Sequence, residues 1–186
     1  MDKETLKVIG DLSLENFFGA KKVPTPDEII EQDIWIDAEI ERIGIGKLQI
    51  LIQAAVEIRP KARCELSGYA VGAAVLWNSG RVDAGFNIED PTYTLTEHAE
   101  TMGMKKGIGE KENAIEAIAV CHAGESQSCG ICRQYMTKFQ ENVLVIAVDP
   151  EGKPFNVTSL QILLPYAFSG KQLEEQQEQQ LEKASE

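Results

Sequence analysis

Apolar positions recur at helical spacing early in the chain and gather into short continuous runs later. Leu48, Leu51, Ala55 and Ile58 fall three and four residues apart, one stripe of a helix that Pro60 ends. Upstream, Thr25-Pro26-Asp27-Glu28 reads as an N-cap, a proline at the first helical position and the carboxylate of a capping box. That predicts a helix from Pro26 to Ile43, stopped by Gly44 and Gly46, although the alternation Ile34, Ile36, Ala38, Ile40 also fits a strand. Tyr69 to Trp77 and Arg81 to Ile88 flank Asn78-Ser79-Gly80, a hairpin signature. A helix is predicted from Glu97 to Lys106, a buried strand from Ala114 to His122, a helix from Cys129 to Phe139 and a second buried strand from Val143 to Val148. Asp149-Pro150-Glu151-Gly152 reads as a turn, and Ser159 caps a short helix to Leu164. Helix, hairpin, helix, strand, helix, strand is the order of an α/β protein with a mixed sheet.

Texture divides the chain into three. Residues 1–45 form an acidic extension, 46–170 a domain of catalytic size, and 171–186 a polar tail rich in Gln and Glu. At 186 residues the chain buries a core without needing a metal or disulfides to fold. Thirty acidic against eighteen basic residues give a net charge of -12. Such a field repels phosphate backbones and anionic membrane surfaces, so neither nucleic acid nor membrane is an expected partner. No apolar run approaches the ~20 residues of a spanning helix, and Met1-Asp2-Lys3-Glu4 opens no signal peptide. The expectation is a cytoplasmic protein.

Four cysteines stand at 64, 121, 129 and 132. In a reducing compartment they do not make a disulfide framework, and Cys129-Gly130-Ile131-Cys132 reads as metal ligands or a redox pair. Cys64 and Cys121 read as small buried hydrophobes. His98-Ala99-Glu100 adds an imidazole, and three such ligands leave a zinc one position for water. Glu100, two residues beyond His98, cannot share the ligand's direction and suits a general acid/base. A structural zinc would instead want a fourth protein ligand, for which Cys121 and His122 are the candidates. H-x-E followed by C-x-x-C is the spacing of zinc deaminases.

From Gly46 to Phe168 the sequence resembles the cytidine deaminases of pyrimidine salvage. The pieces that carry the resemblance are Val71-Gly72-Ala73-Ala74, Gly85-Phe86-Asn87-Ile88-Glu89, Tyr93, His98-Ala99-Glu100, Cys129-Gly130-Ile131-Cys132-Arg133-Gln134 and Leu163-Leu164-Pro165-Tyr166-Ala167-Phe168, in the family's order. The resemblance implies a three-layer α/β fold, a mixed β-sheet flanked by helices, with zinc at two helix N-termini. It implies one zinc per chain on His98, Cys129 and Cys132, with Glu100 as proton shuttle. The Ala99 N–H would meet the pyrimidine O2, the Gln127 carbonyl the departing amine, and Asn87 and Glu89 the ribose 3′-hydroxyl. Tyr69 stands where the family usually has a Phe against the pyrimidine. Phe168 matches an aromatic that reaches a neighbouring subunit's site, so a homo-oligomer, tetramer or dimer, is expected. The implied reaction is deamination of cytidine and deoxycytidine, small pyrimidine nucleosides, to uridine and deoxyuridine.

Two thiolates and a neutral imidazole leave a zinc site formally neutral. Family members with three Cys ligands typically offset their extra charge with an Arg after the Glu; here Thr101 follows Glu100, in keeping with the lost thiolate. Three features depart from the family pattern. Ser128 replaces the usual Pro before the first Cys, loosening the expected hold on the Gln127 carbonyl. Asp90 replaces an Asn, and the first 45 residues match no compact member. Two alternatives remain at this level: a deaminase of a modified cytosine nucleoside of the blasticidin S type, and a non-catalytic binding protein with a structural zinc.

Overall fold

The computed structural model describes residues 26–124 and 126–168, together with Gln180. Helix α1 runs from Pro26 to Ile43 and α2 from Ile45 to Ile58, with a single 3-10 turn at Arg59–Lys61. The Thr25 cap and residues 1–25 lie outside the described residues, as does all of the tail but Gln180. Along α1, Ile36 and Ile43 are buried and Ile40 is half-buried, one face at a spacing of four and three. Ile34 and Ala38 point outward, so the helical period governs and the strand alternative falls. Gly44 ends α1 with φ 86°, a conformation in which a side chain would be strained, while its N–H still reaches the Ile40 carbonyl at 3.0 Å.

Strand β1 (Gly72–Trp77) turns through Asn78–Arg81 into β2 (Val82–Phe86). The Trp77 N–H meets the Arg81 carbonyl at 2.9 Å, as the hairpin signature predicts, although both strands are shorter than the apolar runs. Then follow α3 (Ala99–Gly109), β3 (Ile115–Cys121), α4 (Gly130–Met136), β4 (Leu144–Val148), β5 (Pro154–Ser159) and α5 (Leu160–Leu163). The sheet order is β2-β1-β3-β4-β5, with β3 and β4 parallel and the other neighbours antiparallel. The Asp149–Gly152 turn closes with a 2.9 Å bond, and the Ser159 hydroxyl accepts from the Ile162 N–H at 3.2 Å.

Successive residues of the central strands face opposite helical layers. Ala74, Leu76, Ala117, Ala119, Cys121, Leu144 and Ile146 pack with Leu48, Leu51 and Ala55 of α2 and with α1. Ala73, Val75, Ile118, Val120 and Val145 pack with Met104 of α3 and with Cys132 and Met136 of α4. A sheet buried on both faces needs apolar residues at every position, which explains the uninterrupted runs. Each large side chain taken wholly from water, such as Leu51, contributes ~1.5–3 kcal/mol. The result is the three-layer mixed fold the resemblance implies.

Strand β5 is the element the sequence does not announce. It pairs with β4 alone, and Phe155 and Val157 keep more than a third of their surface exposed, so no buried apolar run marks it.

Candidate active site

The helices α3 and α4 both start beside the sheet on the same layer. His98 stands just before α3 in extended backbone, and Cys129 just before α4 likewise. One turn into α4, Cys132 is buried. This brings the His98, Cys129 and Cys132 donor atoms within 4.8 Å of one another. The Cys129 Sγ lies 3.4 Å from His98 Nδ1 and 3.5 Å from the Cys132 Sγ. Burial pushes the Cys132 thiol well up, and the Glu100 and Cys129 charges push it further the same way. A thiolate at that position needs a cation beside it. One imidazole and two sulfurs are a donor set that fits zinc. Neither candidate fourth ligand belongs to the group. Cys121 lies in the opposite core layer and donates to the Asp149 carbonyl at 3.4 Å.

Glu100, in the first turn of α3, is 4% exposed. It forms part of the wall of a cavity of about 280 Å³, a scale that takes a small molecule. Of the ten residues singled out from the sequence, eight line that cavity: Tyr69, Asn87, Glu89, His98, Ala99, Glu100, Gln127 and Cys129. Cys132 lies buried beside it. Phe168 does not line the cavity of its own chain; it is 57% exposed, and its carbonyl accepts from Gln134 Nε2 at 2.7 Å.

The segment carrying Asn87 and Glu89 is clamped from two sides. Ile88 exchanges backbone bonds with Glu97 at 2.9 Å both ways, while Arg63 pairs with Asn87 and Glu89 on the other side. With Ile88 turned away, the residues flanking it share the cavity side. The Asn87 amide accepts from the Val71 N–H at 2.8 Å and donates to the Tyr69 carbonyl at 2.9 Å. The Glu89 carboxylate accepts from the Leu66 and Ser67 N–H groups at 2.9 and 3.0 Å and from the Ser67 hydroxyl. Those bonds hold its pKa below the ordinary carboxylate value, the Ser67 hydroxyl contributing most. Both residues therefore tie down the 66–71 loop as well as line the cavity.

Ser128 replaces the expected Pro, yet its segment is tied at two points. The Arg133 Nε donates to the Ser128 carbonyl at 2.5 Å, and Gln127 Nε2 donates to Asn156 Oδ1 of β5 at 2.6 Å. Thr101, in place of an Arg, donates its hydroxyl to the His98 carbonyl at 2.9 Å. No motif in the sequence marks Ser67, and His122 stands there only as a candidate zinc ligand. Both line the cavity. The one signal for His122 is a histidine directly after an apolar strand.

Residues 46–148 match the family described as the cytidine and deoxycytidylate deaminase zinc-binding region. A probable cytidine deaminase of Dictyostelium discoideum is 32% identical over 130 residues, 68% of this chain and 87% of that protein. A cytidine deaminase of Halalkalibacterium halodurans is 34% identical over 128 residues, 67% of this chain and 96% of that one. The crystal structure of a cytidine deaminase from Burkholderia pseudomallei superposes with a TM-score of 0.59 at 34% identity, covering 64% of this chain and 97% of the other. With residues 46–148 matching that family model and a third of its residues identical to such relatives over two-thirds of its length, the chain belongs to the cytidine and deoxycytidylate deaminase family.

Proposed function

We propose that the protein hydrolyses cytidine and deoxycytidine to uridine or deoxyuridine and ammonia. The observation that carries this reading is Glu100, buried in the wall of a cavity directly beside the His98, Cys129 and Cys132 donors, with the polar pair Asn87 and Glu89 lining the same cavity. Relatives covering two-thirds of the chain are themselves cytidine deaminases.

The chemistry divides as follows. Zinc, one per chain on His98, Cys129 and Cys132, supplies Lewis-acid activation of water. The Glu100 carboxylate takes a proton from the attacking water and hands it to N3 of the pyrimidine as the C4–O bond forms. It then takes the remaining proton from the C4 hydroxyl and delivers it to the exocyclic amine; the C4–O bond becomes a carbonyl as the C4–N bond breaks and ammonia departs. The Ala99 N–H, in the first turn of α3, has no carbonyl one turn back and is directed to the pyrimidine O2. Gln127 receives the departing amine on its carbonyl, Tyr69 faces the pyrimidine, and Asn87 and Glu89 take the ribose hydroxyl.

The same reading makes 46–170 the catalytic unit, with 1–45 and 171–186 as additions to it. It places the protein in the cytoplasm, in pyrimidine salvage, and none of the described helices is long and apolar enough to cross a membrane. Phe168 completes a neighbour's pocket in a homo-oligomer, tetramer or dimer; its exposure leaves it available to do so.

Loss of cytidine ultraviolet absorbance on adding the protein tests the activity. Turnover that stops with a zinc chelator and returns with zinc is expected. Absence of turnover with one zinc bound overturns the reading.

A further inference from the structure

His122 sits at the end of β3 with 3% of its surface exposed, and it is part of the cavity wall. Its Nδ1 lies 2.8 Å from the Tyr69 hydroxyl and 3.1 Å from the Gly124 N. An amide N–H has only a proton to offer, so the lone pair is on Nδ1 and the ring proton on Nε2. The Tyr69 hydroxyl then donates to the same lone pair. The Nε2 is buried with no hydrogen-bond partner among the described residues. Gly124 completes the fit: a Cβ there would stand 2.7 Å from the Tyr69 hydroxyl oxygen. Phe155 closes the other side, edge-on to the imidazole at 5.5 Å between ring centres.

The surroundings of the ring work against a charge on it. Burial is the largest influence and pushes its pKa down, with Arg59 adding to the lowering and the Glu100 charge opposing it. A protonated ring would have no lone pair for either Gly124 or Tyr69.

We propose that His122 is a positioning residue for the pyrimidine: as a neutral, Nε2-protonated ring it fixes the Tyr69 side chain to the segment leading into Cys129. Tyr69 is 41% exposed and would otherwise lose rotamer freedom only when substrate arrives. Held beforehand by its hydroxyl, the ring presents a settled wall, and binding no longer carries that ordering cost. The hydroxyl thus has a purpose that a phenylalanine could not fulfil. This inference rests on reading the cavity as a pyrimidine nucleoside pocket.

The test compares His122→Phe, His122→Asn and Tyr69→Phe with the wild type. His122→Phe keeps the ring shape and loses the acceptor; Asn restores an acceptor near the Nδ1 place. The expected result is a KM for cytidine raised about ten-fold in His122→Phe, with kcat within about three-fold and zinc content unchanged. His122→Asn recovers most of the loss, and Tyr69→Phe adds less than about two-fold in the His122→Phe background. An unchanged KM, no recovery with Asn, or fully multiplying losses overturns the proposal. Should His122→Phe not fold, Tyr69→Phe alone decides, since an unchanged KM there is equally fatal. The chain has only two histidines, so the imidazole nitrogens are readily resolved by NMR. A ring protonated on Nδ1, or one whose resonances ignore Tyr69→Phe, overturns the contact even if cytidine proves not to be the substrate. Wild-type protein that ignores cytidine while showing the expected ring signature overturns the nucleoside reading instead.

Discussion

Gly85 of β2 lies against the Ala99 carbonyl at the start of α3, with no room between them for a side chain. A Cβ on Gly85 would overlap that carbonyl and stand 2.6 Å from the Gly103 N. The contact sets how deep the first turn of α3 sits on the sheet, and that turn carries His98, Ala99 and Glu100. Gly85→Ala forces α3 away, at an overpacking cost of ~1–3 kcal/mol. The expected outcome is a lower Tm together with weaker zinc retention on dialysis, because His98 moves with the helix. An unaltered Tm and zinc content would show that the contact is not what places the site.

Glu100→Gln preserves volume and hydrogen-bonding capacity but cannot accept and pass a proton. General acid/base catalysis contributes about 10²–10⁴-fold, and in the proposed mechanism one group handles both transfers. Turnover of cytidine should fall by at least two orders of magnitude while metal analysis finds the zinc retained. More than a tenth of wild-type activity in the variant would remove Glu100 from the proton-transfer role.

How far the fold shows in the sequence depends on how each element is buried. Strands β3 and β4 are apolar at every position because helices cover both faces, and they are plain as runs. Strand β5 satisfies a neighbour on one side only and keeps Phe155 and Val157 partly exposed, so its pattern is that of a loop. The same contrast holds in the site. His98, Cys129 and Cys132, the proposed zinc ligands, show through spacing, since such a donor set needs particular residue types at helix starts. The contact between Tyr69 and His122 joins residues 53 apart and depends on the small Gly124 beside them. No local pattern records such a meeting.

Asn87 and Glu89 tie down the 66–71 loop, and the sugar-binding role proposed for them separates from that task experimentally. Asn87→Ala leaves the Val71 N–H and the Tyr69 carbonyl without a partner, besides removing the proposed contact to the sugar. A loss of ~1–3 kcal/mol in kcat/KM is expected, larger for cytidine than for cytosine base. Equal losses on both would confine Asn87 to holding the loop. Glu89 offers a pH signature. Its carboxyl is held below the ordinary value by the Ser67 hydroxyl first and the Ser67 and Leu66 N–H groups after it. A depressed carboxylate favours the folded state above its unfolded pKa, and that contribution disappears as pH falls through the folded value. The Leu66 and Ser67 amides should therefore lose NMR-detected order through that acid window. Retention of order below it would mean the carboxylate is not the anchor.

Phe168 tests whether the site is shared between chains. It follows the short helix α5, projects 57% of its surface into solvent and is anchored by its carbonyl on Gln134 of α4. Ile131, one turn before Gln134 on that helix, is 68% exposed, and Tyr166 is 55% exposed. Apolar side chains gathered at one place on the surface are more naturally covered by a second copy than by water. Packing in its own core is not what Phe168 does, so its truncation should barely alter Tm. If it lines a neighbour's pocket, Phe168→Ala should instead weaken cytidine binding, with aromatic contacts worth ~0.5–1.5 kcal/mol beyond burial. Co-expressing a Phe168→Ala chain with a Glu100→Gln chain distinguishes the arrangements. In trans, a mixed oligomer contains a pocket with an intact Glu100 from the first chain and an intact Phe168 from the second. Activity then rises above that of either parent, and sedimentation finds an oligomer. If the wild type sediments as a fully active monomer, or the mixture is no better than its parents, each chain works alone and Phe168 serves no neighbour.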